Sequence, residues 1–562
     1  MRAFYEYLAR KWDSSNSQLL IAGAKREQQA FHVDLDEVLS EGKKLSVAES
    51  HARALVYFER AIEIAPESSH AYLLAGNEAF ATGDFETAKD YFFLSRHYGP
   101  ADPEASLGLA RVFRETGQSD RAIGLCRKLL LDFPEHWDTW FELARCQHTS
   151  FYFGDAIESL RHVLWHDSSD SRALNYLGLI LARELGELSA GEENLRLALK
   201  YSPGMVATWS NLGWVQSEQG RVEEGMAYFD KVLEADPEDQ ETRLMRAHAN
   251  LKNGNFSEGW SDFFARHGST LATASRYGFP EMPLQLSAMQ KKVLIYAEQG
   301  LGDQIMFASC IPDFLAAGGQ AVLGCDIKLE KLFRRSFPDC IVIADGPSLM
   351  STGPHIPPNV EWQMPIGNLP CRFRTRLQNF PNHDGYLQAD ADKMAFWRKR
   401  LALTGDGPYV GVSWRGGVKT TRRQLRSVPL LEWGPILEQP GQFVNLQYDE
   451  CHSDLAEAEH AGFRIHHWPE ALADYDDTAA LVAALDVVIS VCTAVVHLGG
   501  ALGKPVWVLT PAVAEWRYLA QGDSMPWYPS VKLFRQPYES GWASVVNTVA
   551  RALTDLRWDC PN

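Results

Sequence analysis

The sequence predicts an all-α repeat solenoid followed by an α/β module of two doubly wound lobes. Three observations carry that reading. Prolines fall at 66, 100 and 134, and again at 203 and 237, spaced within each set by 34 residues. Beyond residue 290, short apolar runs alternate with helical stretches, the pattern of strands joined by crossover helices in a parallel sheet. That alternation occurs twice in tandem, with a helical connector between.

At 562 residues the chain is long enough for several domain-sized units. Its 54 lysines and arginines stand against 72 aspartates and glutamates, a formal charge of −18. Such a chain is a poor match to a nucleic-acid backbone or an anionic membrane surface. Nine cysteines are scattered without a CxxC pair, so neither a zinc site nor a disulfide framework is expected. The N-terminal segment, 1–34, lacks an apolar signal core, and no run of about 18 apolar residues is present to span a membrane. The expected compartment is reducing and cytoplasmic.

Residues 35–268 carry the repeats. A period of 34 is the tetratricopeptide spacing. In "AYLLAGNEAFATGDFETAKDYFFLSRHYGP", Gly76, Gly83 and Ala88 fall where two antiparallel helices must touch, and Phe92 and Pro100 follow. Later copies give Leu109, Ala110, Gly117, Ala122 and Pro134, then Trp209, Leu212, Gly213, Gly220, Phe229 and Pro237. About six repeats and a degenerate seventh, "RAHANLKNGNFSEGWSDFFARH", fill the stretch. Each hairpin has an apolar face it cannot bury alone, so neighbours stack into a groove suited to a protein or extended peptide. The array resembles that of the protein O-linked N-acetylglucosamine transferases. Asn77, Asn175, Asn211 and Asn250 do not share one repeat position, so a regular asparagine ladder is not expected.

An irregular linker, 269–290, leads to the α/β half. The runs "KVLIYA", "AVLGCD" and "CIVIAD" read as strands of a first lobe, 291–390, with "QIMFASCIPDFLAAG" and "KLEKLFRRSF" as its helices. A helical connector, 391–407, joins it to a second lobe, 408–540, built on "PYVGVSW", "QFVNLQYD", "FRIHHWP", "LDVVISV" and "PVWVLTP". A last helix, "GWASVVNTVARAL", in 541–562 is expected to cross back to the first lobe. Two such lobes in tandem place a ligand cleft at the carboxyl ends of their strands.

The candidate chemistry sits at those ends. In "AEQGLGDQIMF", Gly300 and Gly302 allow a tight turn and close approach of a ligand, and Asp303 falls in the first turn of the next helix. Two uses are open to Asp303: a stabilising carboxylate at a helix N-terminus, or a base that takes a hydroxyl proton. In "SVCTAVVHLGGALGKP", the helix start at Cys492, Thr493 and Ala494 offers free N–H groups to a phosphate. Thr493 either caps its own helix or adds its hydroxyl, and His497 either faces the cleft or is a satisfied core histidine. The basic stretch carrying Arg415, Lys419, Arg422, Arg423 and Arg426 suits the charges of a diphosphate. Gln447, at the end of "QFVNLQYD", joins the donor side. "DYDDT", 474–478, is read as a helix start capped by Asp477 and not as a metal site. "CHSD" and "HH", at 451–454 and 466–467, are read as loop residues.

The motifs "GLGDQIMFASCIPDF", "RSVPLLEW", "SVCTAVVHLGGALGKPVWVL" and "WYPSVKLFRQ" resemble the ADP-heptose:lipopolysaccharide heptosyltransferases. With the repeats attached, the chain resembles bacterial tetratricopeptide glycosyltransferases, including those that modify flagellin. The resemblance implies a GT-B glycosyltransferase module of two Rossmann-like lobes, with no resident cofactor and a nucleotide-sugar donor as substrate. It implies a metal-independent, inverting enzyme that moves a sugar to Ser or Thr of a protein held by the repeats. Asp303 matches the family's general base, Arg426 stands where that family has a phosphate-binding lysine, and Thr493 and His497 match its helix-start pair. Cys492 stands where the heptosyltransferases have an aspartate linked to sugar recognition, which argues against ADP-heptose. The flagellin-modifying relatives imply a CMP-nonulosonic acid. Two alternatives stay open: a scaffold with a degenerate module, and a transferase acting on a glycan or lipid.

Overall fold

The computed structural model describes residues 34–267, 277–283, 291–344, 356–417, 421–538 and 540–555. The segment 1–33, most of the 269–290 linker and Lys419 lie outside them. The chain divides after Ser168 into two compact units.

The first unit is four helical hairpins: α1 (Leu35–Val47) with α2 (His51–Ile64), α3 (Ser69–Ala81) with α4 (Phe85–Tyr98), α5 (Pro103–Glu115) with α6 (Ser119–Asp132), and α7 (Trp137–Thr149) with α8 (Phe153–His166). Small residues make the helices meet. A Cβ on Gly76 would lie 2.7 Å from the Phe92 ring, and one on Gly108 would lie 2.5 Å from it. Pro66, Pro100 and Pro134 each follow the last residue of α2, α4 and α6 by two positions, where a residue without an N–H cannot prolong a helix.

The second unit opens on three more hairpins: α9 (Ser171–Leu179) with α10 (Leu188–Tyr201), α11 (Val206–Glu218) with α12 (Val222–Ala235), and α13 (Gln240–Lys252) with α14 (Phe256–Phe263). A π-helical turn, Ile180–Glu184, extends α9. That turn accounts for a break in the proline period: Pro134 and Pro203 are separated by one residue more than two 34-residue repeats. A π turn is the usual way a helix absorbs one extra residue. Asn211 nevertheless donates to Asn175 Oδ1 at 3.1 Å.

Two sheets follow in the same unit. The first has the order β3-β2-β1-β4 and is parallel throughout: β1 (Lys292–Tyr296), β2 (Gln320–Cys325), β3 (Ile341–Ala344) and β4 (Trp362–Pro365). Between β1 and β2 the expected single helix is two, α15 (Leu301–Ala308) and α16 (Ile311–Ala316), broken where Pro312 restarts the turn. α17 (Glu330–Ser336) leads to β3 and α18 (Ala391–Ala402) forms the connector.

The second sheet has the order β10-β11-β9-β8-β5-β6-β7, with β5 (Tyr409–Ser413), β6 (Gln442–Asn445), β7 (Ile465–His466), β8 (Val487–Val491), β9 (Val506–Thr510), β10 (Ser524–Met525) and β11 (Tyr528–Arg535). It is parallel except for its β10–β11 edge. Helices α19 (His452–His460), α20 (Tyr475–Ala484), α21 (Ala494–Ala501) and α22 (Ala543–Asp555) cover it. Over its described residues α22 does not cross back to the first lobe: Val546 and Val549 join Val410, Trp433 and Phe534 of the second lobe in one buried cluster.

Strand order reverses at β1/β4 in the first sheet and at β5/β8 in the second, the points where doubly wound sheets open a crevice. The last repeat is built into this α/β core. Trp260 of α14 is buried, stacks edge-on against Trp516 at 5.5 Å, and donates from Nε1 to the Arg374 carbonyl at 2.8 Å. Phe263 packs on Phe307 and Trp516 beside it.

Candidate functional site

The site grows from two helix starts. After β1 the chain turns through Gln299, a left-handed residue with φ 59°, and Gly300 begins α15. After β8 it passes Cys492 and Thr493 into α21. The two helices pack on each other. A Cβ on Gly302 would lie 2.9 Å from His497 Cδ2 and 3.4 Å from Ala494 Cα, so glycine is what lets them approach. At Gly300 the requirement is weaker: a Cβ there meets only an Asp303 oxygen at 3.6 Å.

A line of alternating charges crosses from one helix start to the other. Asp303 accepts from the Gly300 N–H at 3.3 Å and pairs with Arg517. Arg517 also reaches Glu515 at 3.1 Å, Glu515 pairs with Arg426 at 3.0 Å, and Arg426 donates to the Cys492 carbonyl at 3.3 Å. Burial opposes the charge on Glu515, but Arg517, Arg426 and Arg422 outweigh it and hold its carboxyl at about 2. Burial likewise opposes the Arg517 charge, and Asp303 and Glu515 hold that guanidinium above its ordinary value. Glycine is needed here too: a Cβ on Gly416 would lie 2.7 Å from the Arg426 carbonyl oxygen.

The other residues singled out from sequence have protein partners. Thr493 Oγ1 accepts from the Val495 N–H at 3.2 Å, capping its own helix, and lies 3.1 Å from Ser490 Oγ. His497 is buried, with Nδ1 3.1 Å from the Tyr528 hydroxyl; burial, then Arg517, push its imidazole down to about 3, so it is neutral. Burial pushes the Cys492 thiol up to about 12. Gln447 is 1% exposed and used at both ends: Oε1 accepts from the Trp414 and Arg415 N–H groups, and Nε2 donates to Asp449 at 2.7 Å. Arg415 pairs with Asp454 at 2.9 Å and Asp449 at 3.2 Å, and Arg423 shares Asp449 at 2.9 Å. The structure therefore gathers Gly300, Gly302, Asp303, Arg426, Cys492, Thr493, Ala494 and His497, while Arg415 and Gln447 belong to a neighbouring network.

Two local expectations need correction. The "DYDDT" helix starts at Tyr475 and is capped by Asp474, whose side chain accepts from the Asp476 N–H. Asp477 lies inside the first turn and pairs with Lys393 at 2.7 Å. "CHSD" and "HH" are not simply loops: α19 starts at His452, Asp454 accepts from Trp414 Nε1 at 2.8 Å, and His466 belongs to β7, paired with β6. Glu515 and Arg517 are not among the residues the sequence singles out. Their only sequence signal is their place just beyond the carboxyl end of β9. Among the described residues, no three His, Cys, Asp or Glu side chains group so as to hold a metal, and no helix is long and apolar enough to cross a membrane.

A model described as tetratricopeptide repeat matches residues 73–132 and 180–240. Protein FlbA of Caulobacter vibrioides (strain ATCC 19089 / CIP 103742 / CB 15) is 30% identical over 527 residues, covering 90% of this chain and 82% of FlbA. The chain belongs to the FlbA family. The FlbA match covers too much of the chain to be a likeness of repeats alone. Human Protein O-mannosyl-transferase TMTC1 is 21% identical over 185 residues, 32% of this chain and 21% of TMTC1. Among solved structures, the APC/C hetero-tetramer Cut9-Hcn1 aligns with 43% of this chain and 47% of its own, at 17% identity and a TM-score of 0.37. TTC0263, a tetratricopeptide protein of Thermus thermophilus, aligns with 33% of this chain and all of its own, at 24% identity and a TM-score of 0.30.

Proposed function

We propose that this chain is a protein O-glycosyltransferase of GT-B architecture, moving a sugar from a nucleotide-sugar donor to Ser or Thr of a protein held by the repeats. The observation that carries the reading is the charge line Asp303–Arg517–Glu515–Arg426, strung between two helix starts at strand carboxyl ends. An acceptor hydroxyl attacks the anomeric carbon while the bond from that carbon to the phosphate oxygen breaks. Asp303 takes the hydroxyl proton. The nucleotide leaves with the bonding electron pair on its phosphate oxygen. Arg426 and the first turn of α21, which holds no acidic residue, neutralise that charge. Attack opposite the leaving group inverts the anomeric centre.

The tetratricopeptide hairpins support a protein acceptor, and the activity in TMTC1's name, O-mannosyl transfer, supports the reaction class. Flagellin as acceptor and CMP-nonulosonic acid as donor follow from the sequence resemblance; the cytoplasmic setting is the expectation drawn from the scattered cysteines. One observation favours the scaffold alternative: Arg426 and Arg517 are paired with carboxylates of the chain itself.

The two readings separate in a melting experiment with CMP-, UDP-, GDP- and ADP-sugars. A ligand that binds only the folded state stabilises it, by about 2.7 kcal/mol at a hundred times its dissociation constant. A transferase gains melting temperature with one donor class and loses the gain on Arg426→Ala. No gain with any of them supports the scaffold.

A further inference from the structure

The last repeat ends on the loop that carries Asp303. After α14 the chain makes a short 3₁₀ turn, Phe264–His267, and Arg266 of that turn pairs with Glu298, which follows β1. The two side chains are 5% and 10% exposed. The contact is a fork: Nη2 donates to Glu298 Oε1 at 2.7 Å and Nε donates to Oε2 at 3.1 Å. Nη2 also donates to Asn368 Oδ1 at 2.6 Å, and Nη1 to the Phe263 carbonyl at 3.0 Å. Glu298 Oε1 accepts in addition from the Gly367 N–H at 2.7 Å. One guanidinium therefore joins the loop after β1 to the loop after β4, the two strands at which the first sheet reverses. A Cβ on Gly367 would lie 2.3 Å from Glu298 Oε1, so glycine leaves the room in which that carboxylate sits.

What the fork holds is the approach to Asp303. The residue after Glu298 is Gln299, whose φ of 59° is left-handed and uncommon outside glycine. Such a conformation persists where its surroundings over-determine it. On one side of Gln299, the fork fixes the plane of the Glu298 carboxylate as well as its place. On the other side Gly300 starts α15, and its N–H donates to the Asp303 carboxylate at 3.3 Å. The direction of Asp303 is thus tied, through three consecutive residues, to a guanidinium of the last repeat.

We propose that Arg266 is a positioning residue: the last repeat sets the turn that aims Asp303. The turn-setting role stands on geometry; its bearing on transfer rests on the transferase reading.

The test uses the full chain with Arg266→Met and Glu298→Gln together. The double change removes both charges and keeps an amide oxygen for the Gly367 N–H. No charge is left buried alone, so the variant melts close to wild type. Amide hydrogen exchange over peptides spanning 298–304, followed by mass spectrometry, becomes about tenfold faster, while exchange in the second sheet is unchanged. The rate at which the sugar mass appears on protein, once the gene is switched on in cells lacking it, falls about 10²-fold, as for a reacting group displaced by about 1 Å. The donor-induced gain in melting temperature stays, because Arg426 and α21 are untouched. Arg266→Lys keeps the charge and loses the fork, and gives an intermediate rate; if the double variant fails to fold, Arg266→Lys carries the same readouts. Wild-type exchange over 298–304, or a wild-type rate of transfer, overturns the proposal. So does loss of the donor-induced gain, which marks a general loss of structure. The two readings fail separately. Faster exchange in a chain whose wild type modifies no protein keeps the turn-setting role and removes its bearing on transfer.

Discussion

The helix starts of α15 and α21 are built alike and charged differently. Each follows a strand at which its sheet reverses direction, and each presents free N–H groups at the carboxyl end of that strand. The first turn of α15 holds Asp303, which takes the Gly300 N–H and faces Arg517. The first turn of α21 is Ala494, Val495 and Val496, with no carboxylate, beside Arg426. One start carries its own negative charge and repels another. The other has a positive dipole end and a guanidinium, and accepts one. On the proposed reading, a single motif used twice gives a proton-accepting rim and an anion-binding rim, the two parts that glycosyl transfer requires.

The sharpest way to break that contrast is to remove the carboxylate while keeping its shape. Asp303→Asn should lower transfer by about 10² to 10⁴ and leave the donor-induced gain in melting temperature intact. Equal loss of both would make Asp303 a donor contact. On the other rim, Arg426→Lys keeps the charge but loses the planar guanidinium, whose Nη1 donates to the Cys492 carbonyl and Glu515 while its Nη2 donates to Thr421. Donor affinity should fall about tenfold or more by calorimetry, with no change in the pH profile of transfer.

Acid probes the contact between the rims. Buried His497 stays neutral down to about 3. Below about 6.5 the unfolded chain takes up a proton that the fold refuses, so stability should fall with pH by about 1.4 kcal/mol per unit for this residue. The loss begins near 6.5 and ends near the folded value. His497→Gln should flatten the stability–pH slope between pH 6 and 5 in denaturant unfolding; an unchanged slope would mean that His497 is already charged in the fold. Smallest are the two glycines. Gly302→Ala forces a methyl into the His497 ring and should destabilise by about 1 to 3 kcal/mol, whereas Gly300→Ala should stay within about 0.5 kcal/mol. Similar melting temperatures for both would show that α15 and α21 do not need their close approach.

Local signals in the sequence carry the fold a long way. The 34-residue proline spacing marks helix ends because a residue without an N–H stops a helix wherever it falls, and "KVLIY", "VVISV" and "VWVLT" are apolar enough to read as buried strands. β4 (Trp362–Pro365) escapes such a reading because Gln363 and Pro365 break its apolar run, unlike that of the equally short β3. The site is half legible. Gly302 and Asp303 sit beside a strand end, so neighbouring residues announce them. Arg517 meets Asp303 across 214 positions, and no spacing rule spans that distance. Gln447 reads as a ligand contact because amides suit that use, but whether an amide is free depends on the backbone it meets, here the N–H groups of Trp414 and Arg415.

The most direct test of glycosyl transfer with Asp303 as base is intact-mass spectrometry of flagellin and other abundant proteins from cells with and without this gene. The account predicts a discrete sugar mass on one protein that is lost with the gene, restored by wild type and not restored by Asp303→Asn. No sugar mass dependent on the gene, or full restoration by Asp303→Asn, would contradict it.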